Sequence, residues 1–128
     1  MTKIYPVLKY RDAQVAFEFL EGALGCERLQ VHEGENGGVV HAELRFGDEV
    51  LMFGTTGEGD PAYNQGAGRT SVYVVVDEPD ALFERARGAG AEVVMEPTDQ
   101  DYGSRDFAAC DHEGNIWCFG TYRPEVSA

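Results

Sequence analysis

The spacing of hydrophobic positions changes along the chain in the same order twice. Ile4, Tyr5, Val7, Leu8 and Tyr10 form a β-rich run. Residues 11–25 then move to helical spacing. Ala13, Ala16, Phe17, Leu20 and Leu24 recur three or four residues apart, Asp12 stands at the N-cap position and Gly25 closes the segment. A strand is predicted over 26–33, a turn over 34–38, and a hairpin over 39–54 that reverses at Gly47-Asp48. After a Gly-rich connection the order returns. A strand is expected over 71–77 and a helix over 77–91, capped near Asp77 with Leu82, Phe83, Ala86 and Ala89 on one side. A strand over 92–97, a loop over 98–104 and a closing hairpin over 105–122 complete the pattern.

The two halves overlay at an offset of 65 or 66 residues, which sets Asp12 on Asp77, Gly25 on Gly90 and Met52 on Cys118. A repeat of this size marks a duplicated supersecondary unit. The pattern predicts an α+β fold of two tandem β-α-β-β-β modules within one domain, residues 1–128. Module one spans 1–54, a linker 55–69, and module two 70–124. One four-stranded sheet with one helix leaves a sheet face uncovered. Two such curved mixed sheets, from one chain or from two, can enclose a cavity between those faces.

Strand parity sorts the side chains. A two-residue reversal at Gly47-Asp48 pairs Phe46 with Glu49, Leu44 with Leu51 and Glu43 with Met52. Ala42, Leu44, Phe46, Leu51 and Phe53 then form an apolar face for the helix, and His41, Glu43, Arg45, Val50 and Met52 form the other. In the second hairpin, a reversal over 111–114 pairs Cys110 with Asn115 and Phe107 with Cys118. That register puts Cys118 on the cavity face with Phe107, Ala109 and Ile116. Cys110 lies on the opposite face with Trp117 and Phe119, under the helix.

The stretch "CDHEGNIWCF", 110–119, concentrates side chains that bind metals. "DHEG" is also turn chemistry. With the two cysteines on opposite faces, and His112 and Glu113 at an exposed tip, the stretch reads as a turn followed by a cavity-lining cysteine. Three cysteines with no C-x-x-C pair fit reduced thiols better than a disulfide framework. The start of the chain lacks a leader-like apolar run, and no stretch reaches the ~20 apolar residues of a membrane span. A cytoplasmic location is expected. The net charge of −13 argues against nucleic acid and anionic membranes as partners, and is compatible with cationic ligands.

The paired modules, "YRDAQVAFEFLEGALG", the hairpin "FGDEVLMFG" and the ending "DHEGNIWCFGTY" together resemble the vicinal oxygen chelate superfamily, the glyoxalase, bleomycin-resistance and extradiol-dioxygenase group. The resemblance covers essentially the whole chain and rests on the order and spacing of these segments. Metal-dependent members of that group carry four ligands, mostly His or Glu. Carried onto this chain, those positions fall on Tyr5, Met52, Ser71 and Cys118. None is His, Asp or Glu, and one thiolate makes no metal site. The resemblance therefore implies the metal-free, bleomycin-resistance-like branch. It implies no cofactor and no catalytic residue, and a homodimer, domain-swapped or module-sharing, that binds an antibiotic-type small molecule and acts by sequestration. The expected ligand-binding set is Tyr5, Val7, His41, Glu43, Met52, Ser71, Tyr73, Phe107 and Cys118, suited to an aromatic or cationic natural product. The alternative is a lyase, isomerase or dioxygenase of the glyoxalase type, with other metal ligands or with His41 and Glu43 as an acid–base pair. A binding or regulatory module without a resistance role is a third reading. Arg69 and Arg105 are candidates for holding an anionic group or for plain surface roles.

Overall fold

The computed structural model describes residues 2–63 and 65–126. Its strands are β1 (Val7–Tyr10), β2 (Glu27–Glu33), β3 (Val39–Phe46), β4 (Glu49–Thr55), β5 (Ser71–Val75), β6 (Glu92–Asp99), β7 (Arg105–Cys110) and β8 (Ile116–Gly120). They form two four-stranded mixed sheets, ordered β1-β4-β3-β2 and β5-β8-β7-β6. In each, the first strand runs parallel to the last and the remaining pairs are antiparallel. This is the repeated α+β architecture expected from the periodicity.

The first helix, α1 (Ala13–Phe17), starts where expected. The Asp12 carboxylate accepts from the N–H groups of Gln14 (2.9 Å) and Val15 (3.4 Å). The helix then widens into π-turns over Glu18–Ala23. The wide turn brings Phe19 into the core beside Phe17 and Leu20, a position strict helical spacing had left out. Phe19 reaches Trp117 of module two, with ring centroids 5.9 Å apart. The second helix, α2 (Pro79–Gly88), differs from expectation at its start. Its N-cap is Glu78, which makes no side-chain capping bond, and Pro79 opens the first turn. Asp77 instead accepts from Arg123 at 2.7 Å.

One apolar core runs through both modules on the helix side of the sheets. Leu44, Phe53, Phe83, Phe107, Trp117 and Phe119 are among its buried members. Two polar links tie the modules through the β7–β8 reversal. Asp111 is buried, and among the described residues its carboxylate accepts five hydrogen bonds. They come from the Tyr10 hydroxyl (2.6 Å), the Glu113 and Asn115 N–H groups (3.0 Å each), the Asn115 amide (2.9 Å) and the Trp117 indole (3.1 Å). The Glu113 carboxylate accepts from the N–H groups of Arg11 (2.5 Å) and Asp12 (2.8 Å), just before α1. Its side chain is only 6% exposed, so Glu113 docks onto module one instead of standing at an exposed tip. His112 is exposed, as expected.

Candidate functional site

The first hairpin has the expected register. Phe46 faces Glu49, Leu44 faces Leu51 and Glu43 faces Met52. The parallel neighbour β1 adds Val7 beside Met52. His41, Glu43, Met52 and Val7 thus share the sheet face away from the helix. The His41 Nε2 lies 2.8 Å from Glu43 Oε2. The strand β2 extends this face with His32, whose ring stacks on His41 at 6.3 Å, and Gln30, whose amide oxygen is 3.2 Å from His32 Nε2. Tyr5 precedes the strand and is exposed.

The second hairpin corrects the expected register by one residue. Cys110 pairs with Ile116, Ala108 with Cys118 and Phe107 with Phe119. The reversal spans five residues, because Asp111 and Asn115 bond to each other across it and draw both ends inward. Phe107 therefore leaves the ligand set. It is fully buried under α2, stacked on Phe119 at 4.8 Å and edge-on to Phe83 at 5.5 Å. Cys110 moves to the same face as Cys118, and Trp117 is buried on the helix side as expected. The parallel strand β5 sets Tyr73 beside Cys118 and Ser71 beside Ile116.

The structure gathers Val7, His41, Glu43 and Met52 on one sheet and Ser71, Tyr73 and Cys118 on the other. Among the described residues, no hydrogen bond, ion pair or ring contact joins the two groups; the modules meet through the opposite, apolar face. Tyr5, Val7 and Tyr73 are each about 40% exposed or more (42%, 45% and 39%), so these faces lie open in the single chain.

Parity slipped by one residue also hid a polar group on module two's open face. Asp106 is buried and accepts hydrogen bonds from the hydroxyls of Ser104 and Tyr102, the latter at 2.7 Å. Ser104 in turn accepts from the Tyr122 N–H at 3.0 Å, and the Tyr73 hydroxyl donates to the Tyr122 carbonyl at 2.7 Å. The sequence signal that marks this corner is Gly120. A Cβ there would collide with Asp106 Oδ1 and lie 2.8 Å from the Tyr73 hydroxyl oxygen.

The electrostatics of this face oppose ionisation. Burial, then the Asp106 charge, pushes the Cys118 thiol up. Burial and Glu92 do the same for Cys110. A thiol held protonated is a poor metal ligand and a poor nucleophile. The hydrogen bond to Asp106 raises the Tyr102 phenol to about 12. Among the described residues, no group of three or more His, Cys, Asp or Glu is arranged to hold a metal ion. The residues at the metal positions implied by the resemblance, Tyr5, Met52, Ser71 and Cys118, do not fit such a group: a thioether, two hydroxyls and a protonated thiol are weak ligands.

Of the two arginine candidates, one is paired and one is exposed. Arg105 pairs with Asp80 (3.0 Å) and Asp99 (3.1 Å), and Arg69 is exposed. A recess of about 590 Å³ opens on the helix side of module one, lined by Arg11, Arg28, Glu33 and Glu58 among others. There Arg28 is tied to Glu21 and lies over the Phe17 ring at 3.6 Å, and Glu58 accepts from the Gly38 N–H at 2.8 Å. Arg28 and Glu58 there are held in structural contacts, so we place the candidate site on the open sheet faces.

Comparison with known proteins settles the family. Residues 5–119 match the family model described as the glyoxalase/bleomycin resistance protein/dioxygenase superfamily. The chain belongs to that superfamily. An uncharacterized protein of Mycobacterium bovis is 30% identical over 128 residues, covering 95% of this chain and 84% of the relative. Among solved structures, TioX from Micromonospora sp. ML1 superposes with a TM-score of 0.82 at 27% identity, covering 96% of this chain and all of TioX (100%). A bleomycin-binding protein complexed with bleomycin (TM-score 0.71, 19% identity, 96% and 100% coverage) shares the superfamily fold. So does a bleomycin resistance determinant encoded on the transposon Tn5 (0.72, 19%, 97% and 100%). Among the described residues, no helix of this superfamily member is long and apolar enough to cross a membrane.

Proposed function

We propose that the protein is a metal-free small-molecule binding protein that acts by sequestration, in the manner of the bleomycin-resistance branch. The supporting observation is the open face of each sheet. Each carries side chains that contact a ligand well and bind a metal poorly: Met52 and Val7 on one, Tyr73 and Cys118 on the other. The likeness to a bleomycin-binding protein and to a bleomycin resistance determinant adds support at the level of the fold. A homodimer would complete the site by setting the His41 face of one copy against the Tyr73 face of the next, with a two-fold axis repeating the crevice. Sequestration needs no chemistry. Free drug falls when the binder is in excess and the dissociation constant is low.

A second reading rests on the His41–Glu43 contact of 2.8 Å. A histidine oriented by a carboxylate is the raw material of general acid–base catalysis, and would suit a lyase or isomerase of the glyoxalase type.

One experiment separates the two. The purified protein is analysed by native mass spectrometry and then titrated by calorimetry with intercalator-like and glycopeptide antibiotics. We expect a dimer, no stoichiometric metal, and at least one compound bound more tightly than about 100 μM, roughly −5.5 kcal/mol. If none binds, while a 2-oxo thioester-type or catechol substrate is turned over, sequestration is wrong and the enzyme reading replaces it.

A further inference from the structure

The corner formed by Tyr73, Tyr102 and Tyr122 is built, not merely exposed. The backbone of Tyr122 is clamped at both ends, its N–H by the Ser104 hydroxyl and its carbonyl by the Tyr73 hydroxyl. Ser104 and Tyr102 both donate to Asp106, so one continuous circuit fixes all three aromatic residues around a buried carboxylate. Gly120 leaves the space that lets Asp106 and the Tyr73 hydroxyl approach each other. The rings themselves stay accessible. Tyr122 lies 6.5 Å from Tyr73 at 54° and 6.0 Å from Tyr102 at 88°, and Tyr102 is 64% exposed.

We infer that this corner is a subsite for an alkylated ammonium group, the cationic end of the small molecule that the protein binds. The inference rests on the binding reading above and names the chemistry of one part of its ligand. Ring faces carry negative electrostatic potential, and rings set at steep angles to one another can turn more than one face toward a cation seated between them. A phenol that donates to a carboxylate, as Tyr102 does to Asp106 at 2.7 Å, is polarised toward greater electron density than a free one. The Asp106 carboxylate sits behind the rings, and among the described residues it makes no ion pair. The nearby guanidinium groups are held elsewhere, Arg105 by Asp80 and Asp99, and Arg123 by Asp77. A quaternary ammonium cannot donate a hydrogen bond and is weakly hydrated, so it is drawn to ring faces; a carboxylate already engaged by two hydroxyls has less need of a new donor.

The test uses a matched pair of probes, choline and its neutral isostere 3,3-dimethylbutan-1-ol, titrated into the full-length protein at 0.15 M ionic strength. Tyrosine ring NMR signals report binding. At that ionic strength the diffuse charge of the acidic surface is screened beyond roughly 8 Å, leaving the local site. Choline is expected to bind at least ten-fold more tightly than the isostere. Tyr122→Ala and Tyr102→Ala should each weaken choline at least five-fold. Tyr102→Phe, which keeps the ring but drops its bond to Asp106, should weaken it two- to three-fold. Both positions are exposed, and an unchanged amide spectrum elsewhere certifies that each variant is folded. Equal affinity for choline and isostere, no choline binding up to 100 mM, or indifference to the tyrosine substitutions would overturn the inference. If a neutral drug binds the same sample while choline does not, the cation subsite fails and the sequestration reading stands. If choline binds as expected but no drug does, the reverse holds.

Discussion

The β3–β4 and β7–β8 reversals occupy equivalent places in the two modules and are built on different principles. The first is a two-residue turn, Gly47-Asp48, exposed at both positions. The second spans five residues, and its opening residue, Asp111, is 3% exposed with five hydrogen bonds converging on it. One merely turns the chain. The other turns the chain and also joins the modules, through Tyr10 on Asp111 and through Glu113 on the N–H groups before α1. Duplication supplied two copies of one motif, and only the second copy took on the work of assembly.

If that contrast is right, Asp111→Asn should be the most damaging conservative change at either reversal. The asparagine keeps one acceptor oxygen but turns an NH2 group toward donors that have lost their carboxylate. A buried donor left without its acceptor costs about 1–3 kcal/mol, and more than one donor here depends on the lost carboxylate. Urea unfolding of the variant should show a loss of that order, and a loss below about 1 kcal/mol would mean that Asp111 is no hub.

Alkaline pH probes the same hub without a mutation. Burial, then the hydrogen bond to Asp111, raises the Tyr10 phenol well above its ordinary value. The neutral phenol is thus favoured in the folded chain. Its contribution is fully present below pH 10, the ordinary tyrosine value, and is lost as pH rises above it, because the unfolded chain releases its proton first. The Cys26 thiol, pushed up to about 12 by burial, opens a similar loss from pH 9. Each group contributes a slope of up to about 1.4 kcal/mol per pH unit. Stability should therefore fall from pH 9 to 11, and Tyr10→Phe should remove the part that begins at pH 10. Parallel slopes for wild type and variant would detach Tyr10 from the hub.

Much of this architecture is legible in the sequence, and the parts that are not share a cause. The succession of helices and strands along the chain and the face carrying His41, Glu43 and Met52 follow from periodicity, which is local. Among the described residues, no side-chain hydrogen bond or ion pair ties the Gly47-Asp48 turn to another part of the chain, so its length is legible in the sequence. The second reversal was misread by one residue because its length is set by a partner 101 residues away, Tyr10, and by side-chain bonds that no period encodes. That single slip exchanged Phe107 for Asp106 on the open face and hid the Ser104–Asp106–Tyr102 corner. The widened turns after Phe17 were missed for a related reason: Phe19 is drawn inward by Trp117 in the other module.

Glu113→Gln tests the second link. The amide can still accept one of the two N–H groups before α1, but weakly, and its NH2 faces the other. Hydrogen bonds to charged groups are worth about 1.5–3 kcal/mol each. With one partly kept, a loss of about 1–2 kcal/mol is expected by thermal or urea unfolding. A variant as stable as wild type would leave Asp111 as the sole polar tie made by this reversal.

The smallest effect is expected where the two reversals are alike. Gly47 has φ 60° and Gly114 has φ 90°, and a Cβ added at either would meet nothing within 4 Å. Packing therefore contributes nothing, and the cost of alanine is that of holding an L-residue in left-handed backbone, about 1 kcal/mol. Gly47→Ala and Gly114→Ala should be destabilising by equal amounts, to within about 0.5 kcal/mol, although one lies in a free turn and the other in a bonded one. The equality matters because it separates backbone from side chain. If Gly114→Ala instead costs as much as Asp111→Asn, the second reversal depends on its backbone path, and the carboxylate follows that path. If the two glycine variants match, the whole difference between the reversals resides in Asp111 and Glu113, which urea unfolding of the four variants side by side would establish.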